Sequence, residues 1–84
     1  MLPHPLAEPV ELFGAASCAF TSELREELQW RRIQFADYDV EADAHALARM
    51  QQLSGGRTVP VLVADGKVVQ VGVGGRGCIV ANLE

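Results

Sequence analysis

The stretch Val10-Glu11-Leu12-Phe13-Gly14-Ala15-Ala16-Ser17-Cys18-Ala19-Phe20-Thr21 changes its pattern midway. Apolar and polar residues alternate as far as Phe13, Gly14 interrupts them, and a helical spacing starts at Phe20. The alternation predicts a strand closed by Gly14. Phe20, Leu24 and Leu28 share one helix face, which predicts a helix from Ala19 to about Arg32. Glu23, Glu26 and Glu27 precede Arg31 and Arg32 along it, the order a helix dipole favours. Cys18 falls at the strand-to-helix junction, where unpaired backbone N–H groups favour an anion. A thiolate is such an anion and is the reactive form of cysteine. The same place also suits a small apolar residue at a strand end, so Cys18 reads either as a reactive thiol or as a packing residue. Thr21 would carry its hydroxyl one turn above the sulfur, as a hydrogen-bond donor to it. Ser17 would do the same or cap the helix.

Moving toward the C-terminus, Ile33, Phe35, Tyr38 and Val40 predict a second strand that leads into an acidic turn. Asp43 or a neighbour caps a second helix striped by Leu47, Met50 and Leu53 and ended by Ser54-Gly55-Gly56. Val59 to Val63 and Lys67 to Val71 are apolar runs joined by Ala64-Asp65-Gly66, a tight-hairpin signal. The segment from Gly72 to Cys78 holds four of the eight glycines and reads as loop, with a short extended piece at Ile79 to Ala81. In the other direction, Pro3, Pro5 and Pro9 mark residues 1–9 as an extended leader. Residues 10–81 form a single domain and 82–84 a tail. The element order, strand, helix, strand, helix, strand, strand, predicts a mixed four-stranded α/β sheet covered by helices.

At 84 residues, there is room for one domain and one core. The net charge of -4 disfavours binding to nucleic acid, and no apolar run is long enough for a membrane helix. With two cysteines and no secretory leader pattern, the expected compartment is a reducing cytoplasm. The cysteines are then thiols, metal ligands or core residues. Cys18, Cys78, His4 and His45 lack a compact metal spacing, so no metal site is expected. His45 is expected to be a solvated or half-buried helix residue, and Trp30 to cover the sheet edge.

The strand, the Cys18-Ala19-Phe20-Thr21 motif, the downstream Thr58-Val59-Pro60 and Asp65-Gly66, in that order, resemble the glutaredoxins, small members of the thioredoxin-like fold. The likeness spans residues 10 to about 72. More narrowly, the Cys-x-x-Thr motif and the terminal Gly75-Arg76-Gly77-Cys78 resemble the UXX-star branch, some members of which carry selenocysteine at the first position. The resemblance implies a thioredoxin-like sheet whose C-terminal helix is missing or replaced by the glycine-rich tail. It implies that Cys18 attacks a disulfide or a glutathione mixed disulfide, or reduces a peroxide. Pro60 would be a cis-proline, leaving the Val59 backbone free to pair with an extended peptide such as glutathione. Arg57 and Thr58 would flank that site, with Arg57 holding a glutathione carboxylate.

Four departures accompany the likeness. Ala15 stands where a lysine is frequent, Ala19 where proline is usual, Thr21 where a resolving thiol often sits, and Arg76 where an acidic residue grips glutathione. The resolving role would pass to glutathione or to Cys78, with the surrounding glycines supplying mobility. No tightly bound cofactor is implied, and glutathione is a candidate co-substrate. Small thiols or protein disulfides are the partners. An iron-sulfur or thiol-ligand carrier and a non-catalytic interaction module are the alternatives.

Overall fold

The computed structural model describes residues 9–81; the leader apart from Pro9, and the tail at 82–84, lie outside the described residues. The first strand, β1, is Val10–Gly14 and the first helix, α1, is Ala19–Trp30. Next come β2 at Ala36–Asp39 and α2 at Ala44–Ser54. Asp43 caps α2 with its carboxylate, accepting the N–H groups of His45 and Ala46, and left-handed Gly55 ends the helix. The hairpin pairs β4, Val61–Ala64, with β5, Lys67–Val71, through Asp65 and Gly66, both at positive φ as a type I′ turn demands. One sheet runs in the order β2-β1-β4-β5, with β2 parallel to β1 and the other pairs antiparallel.

Successive residues of β1 point to opposite sheet faces, and each face has its helix. Leu12 packs with Leu24 and Leu28 of α1, joined by Phe35, Leu62 and Val73. Phe13 packs with Val61, Val63 and the α2 residues Ala46, Leu47 and Met50. Among the described residues no helix follows β5.

Three local expectations need correction. The expected strand at Ile33 starts only at Ala36, because α1 closes with a Schellman motif: Ile33 N–H donates to the Leu28 carbonyl and Arg32 N–H to that of Gln29. Arg32 sits at φ 61 there, a conformation usually left to glycine. The charges expected to serve the α1 dipole lie outside its first and last turns; Arg31 instead pairs with Glu27 at 2.8 Å. Trp30 does not cover the sheet edge, being 87% exposed on the far end of α1.

The apolar run from Val59 to Val63 is also divided between two strands rather than forming one. Thr58–Val59 form β3, which leaves the main sheet and pairs antiparallel with β6, Cys78–Ile79. The Val59-Pro60 peptide bond between β3 and β4 is cis. Beyond β6 the Val80 side chain is buried in the α2-side core, and its N–H donates to the Arg57 carbonyl at 3.0 Å. The expected mobile loop around Cys78 is therefore an anchored strand.

Candidate active site

Cys18 is the N-cap residue of α1, with extended backbone and no side-chain cap on the helix. Its thiol position is thus set by the sharp turn after β1, which the Cys18 N–H stabilises by donating to the Ala15 carbonyl at 3.1 Å. Cys18 is 1% exposed, while Cys78 is half-buried. The two lie sixty positions apart in sequence and form a disulfide, with Cα atoms 6.0 Å apart. That separation is within the span a disulfide bridges.

Thr21 makes a hydrogen bond other than the expected one to the sulfur. Its buried hydroxyl accepts the Ala15 N–H at 3.3 Å and so ties the first turn of α1 to the turn after β1. A Cβ built on Gly14 would overlap the Thr21 side chain, so this close approach explains the glycine that closes β1. Ser17 neither caps α1 nor serves the sulfur; its hydroxyl donates to Glu41 at 3.1 Å.

Val59 is buried, and its backbone is not free as the resemblance implies. Cys78 lies opposite Val59 and Ile79 opposite Thr58 in the β3–β6 ladder. Pro60 is buried, and its carbonyl accepts the Gly72 N–H at 2.7 Å. The disulfide and the ladder together bring Cys18, Cys78, Val59 and Thr58 to one place. Arg57 is exposed at the entry to β3, and among the described residues no carboxylate pairs with it. Arg76 is exposed in a tight turn in which it exchanges both backbone hydrogen bonds with Val73. Ala15 is buried at the base of the site. His45 is exposed on α2, and no group of three or more His, Cys, Asp or Glu side chains converges as a metal site among the described residues. No described helix is long and apolar enough to cross a membrane.

Sequence reasoning missed Gly77. A Cβ built there would overlap the Val59 carbonyl oxygen and come within 2.8 Å of the Thr58 methyl group. Gly77 is absent from the glycines at positive φ, so space, not backbone conformation, is what the position requires.

The mixed sheet, a helix on each of its faces and a cysteine capping the first helix define a thioredoxin-like α/β protein. The solved structure of the thioredoxin-like protein BC3987 is similar at a TM-score of 0.67 and 27% identity, over 71% of this chain and 82% of that one. A point variant of the same protein matches at 0.69 and 26% identity, over 74% and 80%. A buckwheat glutaredoxin in complex with glutathione has this fold at a TM-score of 0.65 and 20% identity, over 79% of this chain and 62% of its own. Residues 10–69 match the glutaredoxin family, and the chain belongs to that family. A domain of this family points to a thiol-disulfide oxidoreductase. No curated protein matches the sequence.

Proposed function

We propose that the chain reduces disulfides with Cys18 as the attacking thiol and Cys78 as the resolving one. The observation that carries this reading is the bond between the helix-capping cysteine and the strand cysteine. In the reduced protein the uncapped amides of the first turn of α1 favour a thiolate at Cys18, and burial of the sulfur opposes them. The thiolate attacks one sulfur of a substrate disulfide, forms a mixed disulfide and releases the other half as a thiolate. Cys78, having given its proton to water, attacks the Cys18 sulfur and releases the second half. The substrate gains two electrons and the protein dithiol loses them. Two equivalents of an external thiol such as glutathione then restore the dithiol.

Entry of that external thiol is supported at Cys78, whose sulfur-bearing residue is more exposed than Cys18. Attack there expels Cys18, the thiolate that the helix end stabilises. Thr21 serves as the brace that holds the first turn of α1. Arg57 and Thr58 form the rim beside the buried Val59 and Pro60, with Arg57 available to a carboxylate of glutathione or of a peptide.

The reading is tested by reacting the reduced protein with a small disulfide and following intact mass. Wild type should end two hydrogens lighter with no adduct, Cys78→Ser should stop as the mixed disulfide, and Cys18→Ser should stay unmodified. Adduct formation on Cys78 in the Cys18→Ser protein at the wild-type rate would refute the assignment.

A further inference from the structure

Strand β6 occupies the edge of β3 beside Cys18, with its cysteine covalently joined to Cys18 and its backbone in antiparallel register with Thr58 and Val59. The arrangement is that of a captured cysteine peptide, except that the peptide belongs to the chain itself. Three features define what fits. The cysteine lies opposite Val59, the next residue lies opposite Thr58 with its side chain in solvent, since Ile79 is 76% exposed, and the preceding residue has no side chain. The third is a steric demand from the receiving edge, because the Val59 carbonyl oxygen and the Thr58 methyl fill the space a Cβ at position 77 would need. It is independent of the turn that delivers the tail: Gly77 lies outside the left-handed region, so any residue could adopt its backbone.

We propose that the β3 edge selects extended cysteine-containing strands in which no Cβ branches from the backbone carbon just before the cysteine residue. On this reading 77–79 is the resident occupant, and any external disulfide must displace it. The inference rests on Cys18 being the attacking thiol and adds the substrate class. Protein disulfides with glycine before the cysteine meet the demand. So does glutathione, whose γ-linked glutamate places an unbranched methylene chain ahead of its cysteine. A peptide with a β-branched residue there does not. The apolar anchor Val80 and its N–H bond to the Arg57 carbonyl hold the occupant in place, so displacement opposes every external strand equally.

The test uses reduced full-length Cys78→Ser protein and three pentapeptides, Gly-Arg-Gly-Cys-Ile and its versions with Ala or Val before the cysteine. Each is supplied as a mixed disulfide with nitrothiobenzoate. Attack of the Cys18 thiolate on the peptide sulfur forms the Cys18-peptide disulfide, breaks the bond to nitrothiobenzoate and releases that coloured thiolate. Release rates are normalised to those with free 2-mercaptoethanol, which removes intrinsic differences among the peptides. The glycine peptide should react about tenfold or more faster than the valine peptide, with alanine between, as expected from overpacking of one to three carbons. Equal normalised rates would overturn the selection while leaving Cys18 as the attacking thiol. Absence of release from all three, with the protein folded by circular dichroism, would overturn both readings.

Discussion

The Thr21 hydroxyl accepts the Ala15 N–H, and both residues are buried. Replacing it by the isosteric Val strips an acceptor from an amide that water does not reach. Thr21→Val should therefore lower unfolding stability by about 1–3 kcal/mol in a urea titration. A loss well under 0.5 kcal/mol would mean that water or another carbonyl takes over the amide. Cys18 is the residue whose place is most legible from sequence alone, because it falls at a junction between a strand pattern and a helix pattern. Gly77 is illegible for the opposite reason. Its requirement comes from the Val59 carbonyl, which meets it only through the pairing of two strands distant in sequence.

At the scale of elements, α2 is clamped to the sheet through Arg49. Its guanidinium makes a bidentate pair with Glu11 of β1 and lies over the Phe13 and Tyr38 rings, which stack at 5.0 Å. The hydrogen bond from Arg49 is the largest influence holding the Glu11 carboxyl below its ordinary value; partial burial works against it. A carboxyl depressed in the folded state contributes stability above its unfolded pKa of about 4.3, and that contribution disappears as the pH falls through the folded value. The stability difference between wild type and Arg49→Met should hence be constant above about pH 5 and shrink toward pH 3. A difference independent of pH across that range would assign the clamp to the ring contacts alone. The hairpin and both α2 caps were readable because Asp43, Gly55 and Asp65-Gly66 are residue types bound to their geometries. The end of α1 was not, since an arginine takes the left-handed position of its Schellman motif and leaves no glycine to mark it. The division of Val59 to Val63 between β3 and β4 was equally hidden: an apolar run does not disclose that its first residue pairs with Cys78, near the other end of the described chain.

For the whole molecule, the cross-link joins residues sixty positions apart, so it removes much of the freedom of the unfolded chain. Chain-entropy reasoning gives about 4 kcal/mol for a loop of this size, with measured cases nearer 2–4. Reduction should accordingly move the urea midpoint down by an amount equivalent to about 2–4 kcal/mol, and Cys78→Ser should reproduce the shift without reductant. An unchanged midpoint would indicate that β6 and the buried Val80 hold the tail as firmly without the bond. Topology adds a last consequence. Closing Cys18 onto Cys78 turns α1, β2, α2, β3, β4 and β5 into arcs of one covalent ring, and β1 alone among these described helices and strands of the main sheet stays outside it. Yet β1 lies between β2 and β4. In the oxidised protein this inner strand is gripped by two arcs of a covalent ring that it joins through the turn leading to Cys18, without being one of its arcs.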